Sequence, residues 1–306
     1  MRHHSILTTA AVLSCVCMVS AGHAAGFTYE ESPEALALLR DGKPWLRTMT
    51  KPLDPGNRDE TYKVYTHIYD FAGEAPITKG AGGKFTHHRG MFIGWNHTHV
   101  GGTQYDTWHM KLCHQHHLAW TTLEAAEGRA TQTEELHWMP DDGEPFIKEV
   151  RRITAAPGED GLRVFDFQSS LTALKEAIQL RGDLQHAGMQ VRLEQEVADH
   201  EETTSYILPE GIEEQDDNRV EGAWWVCCSA EVGGKRYWTI HMTPQTHPTG
   251  VPVYSIRRYA RFGAFFEPDL AEGTPLELNF RIVVSEKELD QAACQALYDA
   301  YVKAGS

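Results

Sequence analysis

"GMFIGWNHTHV", residues 90–100, begins with Met91, Ile93 and Trp95 alternating with Phe92 and Gly94. Successive side chains of a strand point to opposite faces, so apolar residues in both alternating sets read as a central strand buried on both sides. The same texture recurs outward from this stretch, in "TYKVYTHIYDF" (61–71), "RATQTEELHW" (129–138), "FIKEVRRITAA" (146–156), "LRVFDFQSSLTAL" (162–174), "GAWWVCCSAEV" (222–232), "KRYWTIHMTP" (235–244), "VYSIRRYARFG" (253–263) and "PLELNFRIVVS" (275–285). Brief runs rich in Val, Ile, Thr and aromatic residues, punctuated by Gly, Pro, Asp and Asn, predict an all-β fold, a large antiparallel β-sandwich. A chain of 306 residues exceeds a two-sheet sandwich of immunoglobulin size, so one larger supersandwich domain over residues 25–306 is expected. Two segments read as helical. "SPEALALLRDG" (32–42) suggests a short helix. "SEKELDQAACQALYDAYVKAG" (285–305) offers a capping box at Ser285 and Glu288 and an apolar stripe of Leu289, Ala293, Ala296, Leu297 and Tyr301.

Residues 1–24 combine a short basic start, an apolar run from Ile6 to Ala21 and small residues near Ala24, the pattern of a secretory signal peptide. The run is too short and too interrupted for a membrane anchor, and the expected location is periplasmic or secreted. The formal net charge is -15, one unit more negative without Arg2, which disfavours nucleic acid and anionic lipid as partners. No membrane insertion is expected at a mean hydropathy of -0.43. The oligomeric state is not legible. Cys15 and Cys17 fall in the leader, leaving Cys113, Cys227, Cys228 and Cys294, too few for a disulfide framework. One bridge or four buried thiols both fit.

Between Lys84 and His117 lie eight histidines: His87, His88, His97, His99, His109, His114, His116 and His117. His97 and His99 share a strand face, as do His114 and His116, so each pair can present two imidazoles to one ion. No Glu follows at the spacing of a cupin site, and neither His-Glu-x-x-His nor Cys-x-x-Cys is present. No cofactor is therefore predicted and no metal ligands are assigned, with a divalent metal kept as an alternative. Acid/base chemistry asks for less, because imidazole titrates near neutrality. Arg89, Asn96, Asp106 and Trp108 are interleaved with the histidines, and Gly-rich turns let a ligand approach the backbone. Trp95, Trp108, Trp120, Trp138, Trp224, Trp225 and Trp238 supply flat faces of the kind that stack on pyranoses, although Trp in a sandwich more often fills core. A sugar or oligosaccharide is the ligand these groups suggest. Three later segments can complete a cleft: His186 in a Gly-bounded loop before a strand bearing Arg192, Glu194 and Glu196; His241 and His247; and Arg257, Tyr259 and Arg261 at period-two spacing.

"YKVYTHIYDF", "ITKGAGGKFTHHRGMFIGWN", "DTWH", "GDLQHAGMQVR" and "SIRRYARFGAFF" together resemble the soluble PmoA-type family, from about Lys43 to about Val284. The family name points to a membrane-bound copper monooxygenase, for which this chain has neither spanning helices nor composition. The resemblance implies a secreted β-sandwich similar to galactose-mutarotase-like supersandwiches, in glycan-degrading bacteria. Its motif positions are His87, His88, Arg89 and Gly90; Asp106, Trp108 and His109; His186, Gly188 and Arg192; and Arg257, Tyr259 and Arg261. Ala260 stands where that pattern has Gly, and Thr246–Pro248 replaces Asn-Pro, which leaves His247 outside the implied site.

The resulting expectation is a carbohydrate-active enzyme catalysing elimination or epimerisation. His88, His109, His186 and Tyr259 are its acid/base candidates. His87, Arg89, Asn96, Asp106, Trp108, Arg192, Arg257 and Arg261 are assigned to substrate binding and charge stabilisation. Imidazole, phenol and guanidinium without a free carboxylate pair suit those reactions better than glycoside hydrolysis. The rivals are a carbohydrate-binding protein without chemistry and a metal-dependent oxidase built on His97 and His99.

Overall fold

A computed structural model describes residues 26–305; the expected leader lies outside the described residues. Three antiparallel sheets of nine, eight and four strands make up the β structure, and a helix, Gln291–Ala304, closes the described chain. The expected all-β antiparallel sandwich with a C-terminal helix is the fold observed.

Local sequence explains the strands. In Arg163–Ala173, Phe165, Phe167, Ser169, Leu171 and Ala173 are buried while Val164, Asp166, Gln168, Ser170 and Thr172 are half exposed, the period-two pattern of a strand with one face on a core. Gly90–Trp95 is buried at every residue, as its doubly apolar pattern predicts. It lies in the middle of the nine-stranded sheet beside Ala187–Arg192, which is also buried throughout. One face of this sheet, carrying Met91, Ile93, Trp95, Met189 and Val191, packs with Phe165, Phe167, Phe280 and Ile282 of the eight-stranded sheet into the main core. The C-terminal helix covers the other face of the eight-stranded sheet through Cys294 and Tyr298 against Trp225, Cys227, Ile240 and Val283.

Three local expectations are corrected. "SPEALALLRDG" is a strand, Ala35–Arg40, whose buried Leu36, Leu38 and Leu39 sit between neighbours on both sides; five buried residues in a row fit a covered strand better than a one-sided helix. The helix is capped by Asp290, which accepts from Ala293 N, while the Ser285 hydroxyl closes a local turn on Lys287. Arg257, Tyr259 and Arg261 do not share a strand: Val253–Arg257 and Arg261–Phe265 form a hairpin whose turn contains Tyr259 and Ala260, the latter at φ 53°. All four described cysteines are free and buried.

Close packing fixes the centre of the nine-stranded sheet. Gly188 has φ +85°, and a Cβ there would lie 1.9 Å from the Ala264 carbonyl oxygen, so only glycine lets these two strands meet.

Candidate functional site

The face of the nine-stranded sheet away from the main core carries the polar groups. Cross-strand partners point to the same side, and the register places Gly90 opposite Arg192, Arg192 opposite Arg261, and Arg261 opposite Arg257. Three guanidinium groups thus stand side by side on adjacent strands, an arrangement that repels itself unless something negative answers it. Arg192 and Arg261 are fully buried. None of the three side-chain nitrogens of Arg192 has a protein hydrogen-bond partner, and Arg261 leaves Nε and Nη2 unpaired while Nη1 donates to Gln190 Oε1 and Ser255 Oγ, each at 3.0 Å. Burial lowers the Arg192 guanidinium to about 10, against the opposing pull of Tyr259 and Tyr206. Arg257 is half-buried with two unpaired nitrogens.

Loops cover this row and bring the histidines to it. His87 and His88 precede the strand Gly90–Trp95, Trp108 and His109 follow Thr103–Tyr105, and His186 precedes Ala187–Arg192. Ring centroids are 4.2 Å apart for His87 and His88, 4.2 Å for His87 and His109, and 4.8 Å for His109 and His186. His88 is buried, stacks at 12° and 6.0 Å on Tyr259, and leaves both ring nitrogens unpaired. Burial, reinforced by Arg261, His87 and Arg192, pushes it well below the ordinary imidazole range. The Arg192 guanidinium carbon is 4.9 Å from the Tyr259 ring centre.

His109 and His186 are held by the same device. Asp106 lies three residues before His109 in "DTWH", and Asp183 three before His186 in "DLQH". The His109 Nδ1 lies 2.8 Å from Asp106 Oδ2, and the His186 Nδ1 lies 2.7 Å from Asp183 Oδ1. The carboxylates also accept backbone N–H groups of their own turns, from Trp108 and His109 in one case and Gln185 in the other. Against the upward pull of burial, bonds from the histidines keep Asp106 and Asp183 below the usual carboxylate range. Burial pushes His186 down, with Asp183 opposing. With Nδ1 engaged in each, Nε2 is the free nitrogen. Lys63 ties the segments together by donating to the carbonyls of His87 at 3.1 Å and Trp108 at 2.5 Å.

Of the residues expected at the site, His87, His88, His109, His186, Arg192, Arg257, Tyr259 and Arg261 converge. Asp106 and Asn96 stand behind them: Asn96 Nδ2 donates to Asp183 at 3.0 Å and so braces the His186 holder. Trp108 is fully buried under the histidines, 5.6 Å from His88, so it is floor rather than a stacking platform. Arg89 turns away, donating to the Thr86 and Asp59 carbonyls and lying 4.1 Å over Tyr62, where it anchors a loop. His241 is core, bonded to Tyr254 and facing Met189, and His247 packs on Phe266. His97 and His99 lie on the four-stranded sheet, and among the described residues no third ligand joins them. Sequence reasoning passed over Asp183, Lys63 and Phe85. The repeated Asp-x-x-His spacing was the available signal for the first. Phe85, 39% exposed, lies 5.0 Å from Tyr259 and supplies the open aromatic face at the rim. Hollows of about 490 and 540 Å³ elsewhere are lined from the C-terminal helix and the sheet and loops beneath it, and hold none of these groups.

A family model described as "Family of unknown function (DUF6807)" matches residues 35–299. This corrects the expected PmoA-type membership, since the matching model is that of a family with no assigned activity. No curated protein matches the chain. Among solved structures, the chain is similar to a "Putative kojibiose phosphorylase from human microbiome", at TM-score 0.36 and 11% identity, over 91% of this chain and 36% of that one. This chain therefore spans about a third of that protein's length. It is also similar to a GalM/aldose epimerase homologue from C. elegans, at TM-score 0.37 and 10% identity, over 86% and 98% of the two chains. Likenesses at that level say nothing of substrate or reaction.

Proposed function

The chain belongs to the DUF6807 family, whose function is unknown, and we propose from the site itself that it is a carbohydrate-active enzyme eliminating or epimerising a sugar or oligosaccharide with a carboxylate or carbonyl beside the reacting carbon. The observation that carries this reading is the placement of buried Arg192, with no protein partner at any side-chain nitrogen, and buried Arg261, with Nε and Nη2 unpaired, beside a cluster holding two carboxylate-held imidazoles. Removing a proton from carbon next to a carboxylate or carbonyl builds negative charge on oxygen, and guanidinium donors fixed in a buried position stabilise that charge with little reorganisation. Proton transfer falls to the Nε2 atoms of His109 and His186, to His88 and to the phenol of Tyr259, side chains of the kinds that serve as general acids and bases. Hydrolysis fits less well. Asp106 and Asp183 are each engaged by their own histidine, so neither is a free member of a carboxylate pair.

Sugar is favoured over a purely apolar ligand by the mixture of donors with the exposed Phe85 ring, a kind of face that suits the C–H side of a pyranose. We assign the protein to the periplasm or the cell exterior on the leader pattern of residues 1–24. The test is a screen of uronate-containing and oxidised oligosaccharides, read by ultraviolet absorbance for a new double bond and by proton NMR for a changed stereocentre. Turnover that disappears in His109→Asn and Arg261→Met supports the assignment. Ligand affinity without turnover, unchanged in His109→Asn, makes the protein a binding module instead, and silence across the panel removes the sugar reading.

A further inference from the structure

We propose that His87, His109 and His186 hold a single transition-metal ion, zinc first among candidates, within this histidine cluster. One ring nitrogen from each lies within 4.8 Å of the others, the one such group of three among the described residues. The available nitrogens are defined by their surroundings. Asp106 and Asp183 occupy Nδ1 of His109 and His186, which directs the lone pair to Nε2, and His87 Nε2 is buried with no protein partner. A carboxylate behind a ligating imidazole fixes its tautomer, raises its basicity and offsets the ion's charge, which is the usual outer layer of a histidine metal site. Two such carboxylates serve one cluster here, delivered by two separate Asp-x-x-His turns.

The chemistry of the donor set narrows the ion. Three imidazoles and no oxygen ligand suit zinc, copper, nickel or ferrous iron and are poor for magnesium or calcium. Three protein ligands leave a coordination position for substrate or water. At a Zn–N distance of about 2.0–2.1 Å, tetrahedral ligands stand about 3.4 Å apart, so the group must close by about an ångström or slightly more, a movement within reach of ring rotation in three loops.

This inference rests on reading the histidine and arginine cluster as the reaction centre, and it refines that reading. With the Nε2 atoms of His109 and His186 engaged, proton transfer passes to Tyr259 and His88, and the ion joins Arg192 and Arg261 in stabilising the oxyanion.

The experiment uses the full chain purified without a histidine tag, stripped with chelator and titrated with Zn²⁺ and separately with Co²⁺. Expected are one ion bound per chain, visible cobalt bands of a low-symmetry nitrogen site, their loss in His87→Ala and in His186→Gln, and affinity about 10–100-fold weaker in Asp106→Asn. His97→Ala and His99→Ala leave the bands unchanged. Failure of the unmodified chain to take up either ion overturns the proposal without reference to any variant, as does uptake that persists when all three histidines are replaced. Stoichiometric binding without sugar turnover retires the sugar chemistry and keeps the ion. Full turnover by metal-free protein does the reverse.

Discussion

Replacing Arg192 by Met keeps most of the side-chain volume and removes a buried charge that no protein atom pairs. If Arg192 is present for a ligand rather than for the fold, this substitution stabilises the protein while abolishing binding. Three unpaired nitrogens at about 1 kcal/mol each, the low end for a buried donor without a partner, less about 1 kcal/mol for the lost contact with the Tyr259 ring, leave a net gain of roughly 2 kcal/mol. The downward pull of burial on this guanidinium, to about 10, expresses the same penalty. For roughly 280 ordered residues at about 2.1 cal/mol/K each, that gain raises Tm by roughly 3 °C. Scanning calorimetry and urea unfolding of ligand-free protein measure it. Arg151 is the control, equally buried but fully paired: Nε and Nη2 each donate to Glu149 at 2.9 Å, and Nη1 to the Val64 carbonyl at 3.2 Å. Arg151→Met strands the fully buried Glu149 without a counter-ion and costs about 3–5 kcal/mol. The same substitution at two buried arginines therefore moves stability in opposite directions. A loss at Arg192 comparable to that at Arg151 would show that Arg192 is structural, and the site reading loses its main support.

Acid sensitivity follows from His241, which burial lowers to about 3 from an unfolded value near 6.5. The unfolded chain takes up that proton first, so stability falls as pH drops below 6.5 toward 3, by about 3 kcal/mol at pH 4.5; His241→Leu flattens this part of the urea-midpoint profile, and an unchanged slope refutes it. Gly188→Ala forces a Cβ against the Ala264 oxygen at a positive φ and abolishes cooperative unfolding, whereas Gly234→Ala, at φ +73° but in open space, costs about 1–2 kcal/mol; equal effects in thermal melts contradict the close-packing account. Asp290→Ala removes the cap of the C-terminal helix and lowers stability by about 1 kcal/mol, and no change in the urea midpoint means that the cap is redundant.

The strands were legible because burial on one face or both leaves a period-two or a continuous apolar pattern, as in Arg163–Ala173 and Gly90–Trp95. Ala35–Arg40 escaped for a physical reason: a continuous apolar run of that length carries no period, so a short helix and a doubly covered strand look alike until the neighbours are known. The hairpin at Tyr259 was hidden because its left-handed position is held by Ala260 rather than by glycine. Among site residues, "DTWH" and "DLQH" repeat one local unit, an aspartate turn closed on its own histidine, and this was readable from spacing alone.

The arginine row was not readable, since it depends on the register of three hydrogen-bonded strands whose residues lie far apart in the chain, and a one-residue slip would send Arg192 to the other face. The same dependence removes an apparent conflict between a formal charge of -15 and a site suited to anions. At physiological salt exposed charges beyond about 8 Å are largely screened, so the field at the cluster is set by the groups that form it. The net charge of the chain is therefore no guide to the sign of its ligand, which depends on which side chains the register sets in one row.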